Sequence, residues 1–203
     1  MMIRSIAAVA LTLWVSGFAM GTEPRVVLEE SFTGELSKDW YWGLGTWRAE
    51  NGVLRGFESG PRRHGPVKVR RQQMKDAIVE CEFRLVGKAT FAGIIFNGLQ
   101  GRGHIVHLIM SKDHLRVMAH PKPGESLELI SIPNKLTVGE WHHVKLEFKG
   151  ETMKALVDDQ QIAVTHACIG EQKHTFGLGG ESGGPEGDKA GVLEFRALKV
   201  SER

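Results

Sequence analysis

The 203-residue chain has two cysteines, one tyrosine and, past its first fifteen residues, no apolar run long enough to span a bilayer. Each scarcity narrows the answer. Cys81 and Cys168 allow one disulfide at most, and a pair and two separately buried thiols both stay open. No histidine stands at zinc-ligand spacing from either cysteine, and no H-E-x-x-H occurs. No stretch keeps a helical period with caps, which removes the all-α and α/β classes. There is no internal repeat and no linker, so residues 22–203 read as one domain. Charge of one sign is missing too, with 26 Lys and Arg against 24 Asp and Glu. The densest basic stretch, Arg62, Arg63, His64, Lys68, Arg70 and Arg71, has no stacking aromatics interleaved with it. It reads as a solvated loop and strand edge rather than a holder of acidic glycan, and nucleic acid is not an expected partner.

What is present begins with a targeting segment. Arg4 precedes the apolar run Ile6 to Val15, and Ala19 and Gly21 supply small residues two positions apart. The pattern predicts a signal peptide over 1–21, cut before Thr22, and hence an exported protein free of the membrane after cleavage. An uncleaved N-terminal anchor is the competing reading; a lipid anchor is excluded because no cysteine follows the run.

Beyond Thr22 the chain consists of short alternating runs punctuated by Gly, Pro, Asn and Asp. Strands are expected at 25–30, 46–50, 53–57, 67–71, 77–86, 92–97, 104–111, 114–119, 127–132, 142–149, 153–157, 160–165, 175–179 and 192–200. The clearest places Val79, Cys81, Phe83 and Leu85 opposite Glu80, Glu82 and Arg84, the period of a half-buried strand. Asn51-Gly52, Lys112-Asp113 and Asp158-Asp159 fall where tight reversals are needed. The glycine-rich segment 177–191 reads as a surface loop before the last strand. An all-β sandwich or barrel follows.

Four segments carry a resemblance: Trp47 to Leu54 (WRAENGVL), Met74 to Phe83 (MKDAIVECEF), Gly139 to Val144 (GEWHHV) with Gly150 beyond, and Leu193 to Val200 (LEFRALKV). Together they resemble the 3-keto-disaccharide hydrolase domain family. The resemblance implies a two-sheet antiparallel jelly-roll sandwich of the concanavalin A-like type, acting on a glycan or glycoside in its concave face. Trp-x-x-x-Asn-Gly-Val-Leu and Gly-Glu-Trp also recur in laminin G-like domains, which points equally to a glycan- or protein-binding module without catalysis. Trp47 and Trp141 are expected in the inter-sheet core. In the family's central strands an arginine, a glutamate and a glutamine face the groove; here Asn97, Ile105 and His107 stand in their places. A carboxylate is therefore missing where acid–base chemistry is expected.

The candidate chemistry lies on those strands. If 92–97 and 104–111 form a hairpin, alternation puts Asn97 and His107 on one face, with Ile95 and Ile105 beside them. An imidazole there is placed to move a proton near neutral pH, so His107 is the candidate base and Asn97 the candidate sugar anchor. Trp40, Tyr41 and Trp42 form an aromatic cluster beside Gly43-Leu44-Gly45, with Trp40 and Trp42 the candidate stacking platforms for a sugar ring, against packing of one or two of them in the core. Asp158 and Asp159 are turn neighbours and cannot flank one glycosidic bond, and the Glu-x-Asp-x-x-Glu strand motif of laminarinase-type jelly rolls is absent. His104, His107, His114, His120, His142, His143 and His174 do not show metal-site spacing, and Glu181 and Asp188 read as solvated loop residues rather than calcium ligands. No metal or cofactor is expected; the expected partner is a carbohydrate.

Overall fold

A computed structural model describes residues 23–59, 64–184 and 186–202. The signal segment with its cut before Thr22, and Arg62 and Arg63 of the basic stretch, lie outside the described residues.

Alternating sequence becomes strand nearly everywhere. The strands are β1 (Arg25–Glu30), β2 (Trp42–Leu44), β3 (Thr46–Glu50), β4 (Val53–Phe57), β5 (Val67–Met74), β6 (Ala77–Gly87), β7 (Phe91–Asn97) and β8 (His104–Ser111). They continue with β9 (His114–Ala119), β10 (Leu127–Pro133), β11 (His142–Lys149), β12 (Thr152–Val157), β13 (Gln160–Thr165), β14 (Lys173–Glu181) and β15 (Gly191–Glu202). Two short 3₁₀ turns, Ala167–Gly170 and Gly187–Lys189, are the helical elements among the described residues.

Every ladder is antiparallel. One sheet runs β13-β12-β11-β6-β15-β4-β3, with β1 also on β15; the other runs β10-β9-β8-β7-β14-β5-β2. Strand β15 serves three neighbours because it bends. Ala197 has a φ of 51°, and the register with β6 slips between Arg196 and Lys199. The part before the bulge pairs β4 and the part after it pairs β1.

The inward residues of both sheets form one core. Phe83, Leu85, Phe148 and Phe195 come from the first sheet, and Ile94, Phe96, Leu108, Val117 and Phe176 from the second, all fully buried. Phe96 meets Phe148 edge-on across the sandwich with ring centroids 4.8 Å apart. Asn51 and Gly52 both take positive φ, 52° and 81°, as the two-residue reversal between β3 and β4 demands.

Three expectations are corrected here. The segment 177–191 is not wholly a loop, since residues 177–181 continue β14. Trp47 does pack on Phe195, but Trp141 stands on the outer face of the first sheet. The Arg84 and Arg196 guanidiniums lie 4.5 and 4.1 Å from its ring, and these cations belong to the outward-facing set of β6 and β15. Ile105 leaves the face it was expected to share with Ile95, for a reason that shapes the site. Cys81 and Cys168, whose pairing sequence left open, are two buried free thiols.

Candidate functional site

Alternation sets the outer face of the second sheet. On β7, Ala92, Ile94 and Phe96 point into the core, so Gly93, Ile95 and Asn97 point outward. On β14, Phe176 and Leu178 point inward and Thr175, Gly177 and Gly179 outward. Gly93 and Gly179 stand directly opposite each other, and Gly177 stands opposite Ile95. On the other side of β14, Arg71, Val69 and Val67 oppose Thr175, Gly177 and Gly179.

The middle of this face is therefore floored by backbone. A Cβ on Gly179 would lie 2.6 Å from the Pro66 carbonyl oxygen, one on Gly177 2.9 Å from Ile95 Cγ2, and one on Gly93 2.5 Å from His107 Nε2. Above the floor is a cavity of about 1280 Å³. That exceeds the ~300–1,000 Å³ usual for a drug-sized ligand and suits an extended one. Tyr41 and Trp42 line one side of it and Leu99, His104 and His120 are among its other lining residues. Trp42 sits outward on the edge strand β2, opposite Val69, and is 46% exposed; Tyr41 is 47% exposed. Rings this open are available to stack on the apolar face of a ligand.

A bulge brings the histidines together. Phe96 pairs with Val106, but Asn97 pairs with His104, so β8 carries one extra residue between them. Ile105 takes the extra place and is fully buried, while His104 and His107 both reach the outer face. Asn97 Nδ2 donates to Thr175 Oγ1 at 3.0 Å, and His104 Nδ1 donates to Asn97 Oδ1 at 2.6 Å. The His104 and His120 rings meet edge-on at 5.3 Å. His120 Nδ1 donates to the Glu125 carbonyl at 3.2 Å, and its Nε2 is buried without a partner.

These imidazoles are held neutral. Burial, then the neighbouring His104 and His120, push His107 down to about 3. Burial lowers His104, helped by His120. It lowers His120 as well, with Arg102 adding to the effect and the bond to Glu125 opposing it. At neutral pH the cluster offers hydrogen-bond donors and acceptors but little charge.

Charge enters from β5 and the segment before β2. Asp39, the single carboxylate among the lining residues, lies 3.6 Å from Arg70 Nη2. The exposed Arg71 guanidinium lies 4.1 Å over the Tyr41 ring and donates from Nη1 to the Lys38 carbonyl at 3.3 Å.

Asn97 and His107 share one face, and Trp42, from the separate aromatic cluster, lines the same cavity. Trp40 does not. It is 4% exposed, packs on Phe32 and Phe176, and donates Nε1 to Glu30 at 3.1 Å, so no ligand can stack on it. Alternation does not relate it to Trp42, because the strand begins only at Trp42. Arg71, expected in a solvated basic stretch, and His120, one of the histidines without metal-site spacing, also line the cavity. The glycine floor was missed, and Gly177 and Gly179 alternating with Phe176 and Leu178 was the available sign. His114, His142 and His143 lie outside the cavity lining, and Glu181 accepts from the Gly183 amide at 3.0 Å. Among the described residues no group of three or more His, Cys, Asp or Glu is placed to hold a metal ion.

A family model for the laminin G domain matches residues 90–188, which include β7, β8 and β14. The match falls on laminin G rather than on the 3-keto-disaccharide hydrolase domain that the four segments resemble. No curated protein matches the chain. Among solved structures it is similar to a protein of unknown function with a galectin-like fold from Bacillus subtilis, at 10% identity and TM-score 0.67 over 88% of this chain and 96% of that one. A laminarinase from Flavobacterium sp. UMI-01 superposes with TM-score 0.65 at 17% identity, over 88% of this chain and all of the other. The carbohydrate-binding module CBM66 from Bacillus subtilis gives 0.60 at 15% identity, over 78% and 92%. The fold is a jelly roll. Likeness at such identities carries the architecture and leaves the chemistry to the residues of the cavity.

Proposed function

We propose that this is an exported carbohydrate-binding protein that holds an oligosaccharide in the cavity on its second sheet without cleaving it. The observation that carries the reading is the exposed pair Tyr41 and Trp42 beside a floor of Gly93, Gly177 and Gly179. Sugar rings need flat apolar platforms and close backbone approach, and this combination offers both. Jelly-roll neighbours described as a carbohydrate-binding module and a laminarinase support the direction. Export rests on Arg4, the apolar run and the Ala19/Gly21 pair, and no helix among the described residues is long and apolar enough to cross a membrane.

Cleavage is disfavoured by what lines the cavity. Two-carboxylate hydrolysis has one lining carboxylate to draw on, Asp39, and that group faces Arg70. Removal of a proton beside a 3-keto group would fall to His107, whose conjugate acid near 3 makes it a weak base at neutral pH.

Calorimetric titration with neutral and acidic oligosaccharides, run beside a panel of 3-keto-glucosides monitored for product release, tests the reading. Wild-type protein should bind a glycan, lose that binding in Trp42→Ala, and release no product. Turnover of a keto-glycoside that falls by about two to four orders of magnitude in His107→Ala would make the protein an enzyme instead.

A further inference from the structure

Among the described residues the cavity lining carries two guanidiniums, Arg70 and Arg71, against the carboxylate of Asp39, and the unmatched charge sits on Arg71. Arg70 is 7% exposed, donates to the Arg71 carbonyl oxygen at 2.7 Å and faces Asp39. Arg71 makes no ion pair among the described residues. One donor, Nη1, reaches the Lys38 carbonyl, and the rest of the fork has no acceptor among the described residues. Arg55, Arg116 and Arg196 pair with Glu194, Glu128 and Glu82, whereas the exposed Arg48, set over the Phe57 ring, has no ion pair among the described residues either. What sets Arg71 apart from Arg48 is its place in the lining of the cavity.

Arg71 is also restrained from two directions: the Tyr41 ring lies 4.1 Å from the guanidinium carbon, and the Lys38 carbonyl accepts from Nη1. A planar fork restrained in this way loses little freedom when it grips an anion, so more of the contact energy appears as affinity. Trp42, the next residue after Tyr41, lines the same cavity and presents a second open ring. A sugar stacked on Trp42 lies in the cavity that Arg71 also lines.

We infer that the cavity selects glycans bearing an anionic substituent, a carboxylate or a sulfate ester, and that Arg71 holds that group. The inference rests on the glycan-binding reading above and names its ligand class.

The test uses mature protein and three polysaccharides: polygalacturonate for the carboxylate, dextran sulfate for the sulfate ester, and dextran as the uncharged control. Affinity electrophoresis or calorimetry should show wild-type protein binding at least one polyanion well above dextran, and which one identifies the substituent. Arg71→Gln should weaken that binding roughly 10-fold or more, the usual worth of a charge-assisted contact. Lys154→Gln is the control for diffuse attraction, because Lys154 is an exposed cation on β12 of the opposite sheet. It should change affinity by less than about twofold. Equal losses in the two variants would mean nonspecific polyanion binding and overturn the inference. Dextran bound as tightly as the polyanions, with Arg71→Gln silent and Trp42→Ala defective, would remove the anion specificity and leave the glycan reading standing. Absence of binding to every probe would remove both.

Discussion

Asn97 and His104 are joined by the shortest polar contact in the cavity, 2.6 Å from His104 Nδ1 to Asn97 Oδ1. With Asn97 Nδ2 given to Thr175 and Oδ1 accepting from His104 Nδ1, the Nε2 of the neutral His104 ring is left as an acceptor. Asn97 therefore positions a neighbour more than it offers itself. Asn97→Ala should weaken glycan binding by roughly 3- to 10-fold, and His104→Ala by a similar factor. In the double variant the losses should not multiply, since residues sharing one network are non-additive. A titration in which they multiply would show that the two side chains act separately.

Trp40 and Trp42 are two residues apart and answer to different physics. Trp40 fills the core between Phe32 and Phe176, so Trp40→Ala should cost about 3–5 kcal/mol of stability. Trp42, at 46% exposure, should give the opposite result as alanine: an unchanged melting temperature and glycan affinity down about 10- to 100-fold. Thermal melts and titrations on the two variants separate the roles. A Trp42→Ala protein that melts early and binds normally would reverse the assignment.

Gly93 tests the floor. A methyl group there would meet His107 Nε2 at 2.5 Å and the Leu108 carbonyl oxygen at 3.2 Å. The ring end can swing aside where backbone cannot, and the direction open to it is the cavity. Gly93→Ala should therefore cost only about 1–2 kcal/mol of stability while lowering glycan affinity about 10-fold or more. Calorimetry showing full affinity would mean that the ligand does not approach this part of the sheet.

Much of this was legible in the alternation of residues. Strands β6 and β8 were readable to within a residue because one face is buried and the other is not, as Val79, Cys81, Phe83 and Leu85 show. The placing of Asn97 and His107 on a common face followed from the same rule. The rule failed at Ile105, because a bulge adds a residue that no local pattern announces, and it turned an expected surface isoleucine into core. Trp141 was expected in the core for its apolar area, although the inward His142, Val144, Leu146 and Phe148 of β11 turn the preceding residue outward, where Arg84 and Arg196 flank its ring. Arg71 read as one member of a basic stretch; only the fold shows that it lacks an acidic partner and rests on Tyr41.

His107 supplies a test in pH. Its value falls from an ordinary 6.5 to about 3 in the folded protein, chiefly through burial, with His104 and His120 adding to the effect. Below 6.5 the unfolded chain takes up a proton that the folded protein refuses. The stability linked to this group is therefore present in full above 6.5 and is lost as pH falls from there toward 3. By pH 4 the loss from this one residue should be about 3 kcal/mol. Acidic residues and the other histidines also titrate in that window, so the comparison must be with His107→Gln, which keeps a polar side chain and removes the proton site. Urea unfolding followed from pH 7 to pH 4 should fall more steeply for wild-type protein than for the variant, whatever their absolute stabilities. Parallel slopes would show that the ring is solvated, and a solvated His107 would regain the strength as a base that the cleavage reading requires.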